Sequence, residues 1–108
     1  AKHCNSMNAL FIIDGLPLED RRAREALRIA AGTGVWNKVR PTLCFTRAND
    51  PALGQAEDGE LRRYMSLLRE TAGGLFTRAP EEPDGILRHT DEAGLAKLIG
   101  EADTVLRF

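Results

Sequence analysis

Aromatic residues are scarce in this chain, at 6% of 108 residues, and there is no surplus of positive charge, the formal net charge being -1. A nucleic-acid binder neutralises phosphates with a basic excess and stacks bases on aromatic rings, so nucleic acid is not an expected partner. Long apolar runs are missing as well. The longest, Ala9 to Ile13, is far below the roughly 20 residues that span a bilayer, and the N-terminus lacks the apolar core of a secretory signal. No membrane association is expected. Only two cysteines occur, Cys4 near one end and Cys44 inside an apolar run. They do not form a disulfide framework, which fits free thiols in a reducing, cytoplasmic compartment. The two histidines are His3 and His89. His3-Cys4 is at most half a site, and zinc needs three or four ligands, so neither a metal nor a cofactor is expected. Gly15 starts neither a GxGxxG nor a Walker pattern, which disfavours a nucleotide-binding glycine loop.

What is present is an alternation of strand-like and helix-like segments. Residues 1–7 are mostly small or polar and read as a loose leader, leaving residues 8–108 as one domain, a size that buries a core without disulfides or metal. Ala9-Leu10-Phe11-Ile12-Ile13, closed by Asp14-Gly15, has the pattern of a strand buried on both faces and stopped by a turn. From Glu19 to Ala31 the residues Ala23, Ala26, Leu27, Ala30 and Ala31 fall on one helical stripe, with Gly32 and Gly34 as the expected stop. Pro41 opens a second strand, Thr42 to Thr46. Arg47 to Asp58 shows no period and reads as a long loop of the kind that often carries function. A second helix is expected from about Gly59 to Thr71, burying Leu61, Tyr64, Met65 and Leu68, and a third strand at Leu75-Phe76-Thr77. The link Arg78 to Asp84 leads to a fourth strand at Gly85 to Arg88. Asp91 is the N-cap of a final helix, and Thr104 to Phe108 forms the closing strand. The order β-α-β-α-β-β-α-β implies an α/β fold, a three-layer αβα sandwich whose mostly parallel sheet has about five strands.

The order of elements, the segment Arg22-Ala23-Arg24-Glu25-Ala26-Leu27-Arg28-Ile29-Ala30 after a buried strand, and the closing Glu101-Ala102-Asp103-Thr104-Val105-Leu106-Arg107-Phe108 resemble the DsrE/DsrF family. Members of that family are small three-layer α/β domains, and the better-known ones relay sulfur as a cysteine persulfide within homo- or hetero-oligomers. In those members the acceptor cysteine lies just past the third strand. Here the corresponding residues are Thr77-Arg78-Ala79-Pro80, without a thiol. The resemblance therefore implies the fold and the assembly more than the activity.

Cys44, between Leu43 and Phe45 on a covered strand, is the remaining candidate sulfur acceptor, and the competing reading is a buried inert thiol, since a reactive cysteine needs access and a lowered pKa. Open α/β sheets bind ligands at the carboxyl ends of their strands. On that rule Asp14, Arg47 and Arg78 are the candidate ligand-binding residues. Arg47 and Arg78 would flank a crevice near the N-terminus of the first helix that favours an anion; otherwise they are solvated loop residues paired with Asp50, Glu81 or Glu82. Asp14 is either an acidic site residue or a cap of the turn or helix start. No Ser-His-Asp or Cys-His set assembles from two histidines.

Leu16, Leu18, Val35, Trp36 and Phe108 stand where a monomer tends to leave apolar groups wet, which points to a homo-oligomer, dimer or trimer. Three functions follow: a DsrE/DsrF-like, non-catalytic binding or partner subunit working with a protein partner; a persulfide sulfur carrier; or a small anion-binding domain.

Overall fold

The computed structural model describes residues 7–17, 19–36, 38–47, 59–80 and 85–108, without the side chain of Trp36. Its elements are β1 (Met7–Ile13), α1 (Arg21–Trp36), β2 (Val39–Phe45), α2 (Gly59–Thr71), β3 (Gly74–Thr77), β4 (Arg88–His89), α3 (Glu92–Glu101) and β5 (Thr104–Arg107). All strand pairs are parallel, and the sheet order is β4-β3-β2-β1-β5. The chain steps outward from β1 to β4 and then returns to the far side of β1. Right-handed crossovers convert that reversal of direction into a change of face. Hence α1 and α2 cover one side of the sheet and α3 the other, giving the α/β three-layer sandwich.

Strand alternation divides the apolar residues between the two sides. Ala9, Phe11, Ile13, Leu43 and Phe45 join Ala23, Ala26, Leu27, Ala30 and Ala31 of α1 and Leu61, Met65 and Leu68 of α2 in one core. Leu10, Ile12 and Cys44 face the opposite way, under Leu95 and Leu98 of α3 and beside Phe76. The alanine stripe of α1 lets that helix lie close to the sheet. Leu87, in the connection between β3 and β4, adds to the larger core.

Several boundaries differ from the sequence reading. Met7 belongs to β1, in register with Val39, and its N–H donates to the Lys38 carbonyl at 3.0 Å. The first helix runs through Gly32 and Gly34 to Trp36. Gly34 is required for packing: a Cβ there would lie 2.6 Å from Thr71 Oγ1, so the α1–α2 approach selects glycine and the helix continues past it. Pro41 lies inside β2, whose partner β3 begins only at Gly74. The Pro41 carbonyl accepts from Gly73 at 2.7 Å, and because its backbone faces a place that β3 has not yet reached, the missing N–H breaks no ladder bond. The fourth strand is only Arg88–His89. Much of the expected loop after Arg47, residues 48–58, lies outside the described residues, as do residues 81–84.

Asp91 caps α3 as the sequence suggests, its side chain accepting from the Gly94 N–H at 2.7 Å. β5 is fastened along its length. At one end Asn8 and Asp103 exchange hydrogen bonds of 2.8 Å. At the other, the Phe108 N–H donates to Ile12 and its carbonyl accepts from Asp14, while its ring stacks on Phe11 with centroids 5.9 Å apart.

Candidate functional site

The carboxyl ends of the five strands carry Asp14, Thr46 with Arg47, Arg78, His89 and Arg107. Asp14 is the centre of the best-defined cluster. Its carboxylate accepts from Arg107 Nε at 2.9 Å and from Thr46 Oγ1 at 3.0 Å. Ile12 and Arg107 are register partners on neighbouring parallel strands, so Arg107 projects on the α3 side and Asp14, two residues beyond Ile12, meets it there. The hydrogen bond from Arg107, helped by Thr46 and by the charges of Arg107 and Arg47, holds the Asp14 carboxyl below its ordinary value against a smaller opposing effect of burial. Asp14 is therefore an ionised, tethered carboxylate. It does not cap α1.

That role belongs to Asp20, whose Oδ1 accepts from the Arg22 N–H at 2.8 Å. The Asp20 side chain folds over Gly15 and leaves no space for a Cβ there. The N-terminus of α1 is thus occupied by a carboxylate of its own. Arg47 lines a cleft of about 290 Å³ at this point, together with Gly15, Leu16, Glu19, Asp20 and Arg21. Acidic and basic groups alternate around it, so this cleft by itself is a mixed-charge surface and not an open helix-end anion site.

Arg78 follows β3 on the side of the sheet that carries Phe76 and Cys44. It is half-buried, and its Nε is buried without a hydrogen-bond partner among the described residues. Cys44 lies beneath, with no exposed surface. Burial pushes the Cys44 thiol up, the positive charge of Arg78 partly opposes this, and Asp14 adds to the rise. The thiol is therefore buried and protonated, which is the inert reading of this residue. Cys4 and His3 lie outside the described residues, and no group of three or more metal-ligating side chains occurs among the described ones.

His89 closes the far edge, its Nδ1 3.0 Å from the Ala79 carbonyl. Of the residues singled out in the sequence, the structure gathers Asp14, Arg47 and Arg78 around the same end of the sheet. Asp14 feels Arg47, and Asp14 and Arg78 both act on Cys44. Sequence reasoning overlooked Arg107, the direct partner of Asp14. The signal was available, because the rule that selected residues at the ends of the first three strands applies equally to the last.

The apolar residues chosen as contact candidates fare differently. Leu16 and Phe108 are half-buried against the main core and Val35 is 58% exposed, whereas Leu18 and the Trp36 side chain lie outside the described residues. Among the described residues the other large apolar groups left in solvent are Met7, Ile99, Val105 and Leu106, three of them on α3 and β5. Among the described residues, no helix is long and apolar enough to cross a membrane.

No family model matches the chain, and no curated protein matches it by sequence. Its structure is similar to the crystal structure of the YchN protein from E. coli, with a TM-score of 0.72 over 94% of this chain and 99% of that one, at 18% sequence identity. YchN has the DsrE/DsrF-like fold, and that is the fold of this chain.

Proposed function

We propose that this chain is a non-catalytic binding subunit of the DsrE/DsrF-like kind, with an anion site at the carboxyl ends of its strands, and that it works as a homo-oligomer. The observation that carries the reading is at the rim: Arg107 and Arg47 act on the carboxylate of Asp14, and Arg78, which with Asp14 acts on Cys44, has its Nε buried without a partner among the described residues. A buried guanidinium nitrogen that makes no hydrogen bond leaves an unmet donor, and an incoming anion supplies the acceptor. Arg78 also belongs to the stretch just past the third strand, Thr77-Arg78-Ala79-Pro80, the region in which the resembled sulfur-relay proteins carry their acceptor cysteine, and that stretch has a cation here and no thiol. The sulfur-carrier alternative has less support, because Cys44 is enclosed and its thiol is pushed toward the neutral form. Three features support assembly through α3 and β5, namely the exposed Ile99, Val105 and Leu106, and a second copy or a protein partner would cover them.

Titration with inorganic phosphate, followed by calorimetry at low salt, tests the anion site. Saturable binding that Arg78→Gln weakens by about tenfold, equivalent to about 1.4 kcal/mol, is the expected result. Added salt should weaken it further, since exposed charges are screened. Phosphate binding of equal strength in parent and variant, or no saturable binding, would remove Arg78 from the reading.

A further inference from the structure

The two edges of the sheet are β4 and β5. An edge strand presents a row of unpaired N–H and C=O groups, and proteins blunt it by keeping it very short or by charging it. β4 is blunted both ways, being two exposed residues, Arg88 and His89. β5 is not. It runs Thr104-Val105-Leu106-Arg107, without proline or lysine, and its single charge is partly neutralised by Asp14. The pairing with β1 shows which of its backbone groups are open. The Phe108 N–H donates to Ile12 and the Phe108 carbonyl accepts from Asp14, and successive residues of a strand turn their polar groups to opposite sides. Val105 and Arg107 therefore direct N–H and C=O away from β1, toward an edge where no strand lies among the described residues. The side chains are also wet on both faces. Val105 shares the α3 side with its register partner Leu10, and Leu106 shares the α1 side with Phe11. They are 39% and 40% exposed, because α1 packs over β1 and β2, and α3 over β1.

This edge is complementary to itself. Asp103 precedes the strand and Arg107 ends it, both exposed, so a second copy laid antiparallel brings acid near base at both ends, whereas a parallel copy sets like beside like. With Leu106 on the two-fold axis, Val105 of each copy stands opposite Arg107 of the other. These are the residues whose backbone groups point outward, and each such pair exchanges N–H···O bonds in both directions. The two Leu106 residues then meet in the closer, non-hydrogen-bonded kind of pair, with Cα atoms about 4.5 Å apart. Asp103 of one copy becomes the diagonal neighbour of Arg107 of the other, within reach of a long side chain. A register centred on Val105 is poorer, since it needs the Asp103 N–H, which already donates to Asn8 at 2.8 Å.

We propose that two copies of this chain join β5 to β5 antiparallel, about a two-fold axis at Leu106, so that their five-stranded sheets become one. The inference rests on the homo-oligomer reading above and names its contact. Sedimentation velocity should show the parent as a dimer at micromolar concentrations. Val105→Pro removes an N–H that the ladder to β1 does not use, so the subunit should keep its fold, read as a urea midpoint close to the parent's. Its dimer should be weaker by at least about tenfold, because the ring stands where the second strand would pair. Val105→Thr keeps the N–H and the branched side chain and should associate as the parent does. Under mild oxidation Leu106→Cys, made with Cys4→Ser, should form a disulfide between copies, since Cα atoms so spaced can be bridged. Val105→Cys in the same background should form little, as Arg107 is its neighbour across the join. A monomeric parent overturns the homo-oligomer reading and the strand pairing together. A trimeric parent, a folded Val105→Pro that dimerises undiminished, or a Leu106→Cys that does not cross-link overturns the strand pairing alone.

Discussion

The two faces of the sheet are built to different standards. On one side α1 and α2 bury a core that includes Phe11, Ile13, Leu27, Leu43, Phe45, Leu61 and Leu68, all with almost no exposed surface. On the other, Leu10, Ile12 and Cys44 are covered by α3, a helix in which no residue is fully buried. Charge content does not account for the contrast, since α1 carries five charged residues among sixteen and α3 three among ten. The difference lies in packing: α1 sets its stripe of alanines and Leu27 fully into the core, whereas Leu95 and Leu98 of α3 are only half-buried. The buried core is concentrated on the first face, and the second leaves Ile99, Val105 and Leu106 in solvent.

The largest effect follows from exchanging equivalent lesions between the faces. Phe45→Ala opens a cavity in the dense core and should lose about 3–5 kcal/mol, whereas Leu98→Ala, at a half-buried position of α3, should lose only about 1 kcal/mol. Urea unfolding of both variants measures the difference. Equal losses would mean that α3 contributes as much to the fold as α1 and α2, and the contrast between faces would fail.

The first face was legible in the sequence because its signals are local. A continuous apolar run specifies β1, and a stripe of alanines and Leu27 specifies the buried side of α1. The helix ends were less legible, since Gly34 reads as a stop until Thr71, nearly forty residues later, is seen to pack against it. Pro41 misleads in the same way, because its tolerance depends on where a different strand begins. The rim was half legible. Asp14, Arg47 and Arg78 follow from position alone, but the pairing of Asp14 with Arg107 joins residues 93 apart, and only the neighbouring of β1 and β5 creates it. The exposed face of α3 was not legible, as periodicity identifies which residues share a side and not whether anything covers them.

Intermediate in size is the effect of charge on the sparsely covered side. Ile99→Glu and Leu106→Glu place carboxylates on α3 and β5, and Val35→Glu places one at a still more exposed position at the end of α1. If α3 and β5 form the contact between copies, either of the first two should weaken association by at least about 2 kcal/mol, the scale of an interface hot spot, while the folded subunit is preserved. Val35→Glu should leave association unaltered. Sedimentation velocity across micromolar concentrations reads all three, and a parent protein that is monomeric throughout would end the homo-oligomer reading.

The smallest effect concerns the Asp14–Arg107 ion pair at the rim. Asp14 has its folded-state carboxyl pKa lowered, chiefly by the Arg107 hydrogen bond. A lowered folded-state value means that the pair contributes stability above the unfolded value, near pH 4, and that the contribution disappears as pH falls through the folded one. Asp14→Asn should therefore be less stable than the parent at pH 7, and the gap should close as the solution is acidified below about pH 4. The gap will be small, because the Asp14 and Arg107 side chains are 41% and 70% exposed and solvent screens such pairs. It should shrink further in high salt at pH 7. Paired urea midpoints over this pH range decide the point. A gap that stays constant into acid would show that Asn fails through lost packing against Thr46 and not through lost charge, and Arg107 would then be a neighbour of Asp14 without being the source of its tether.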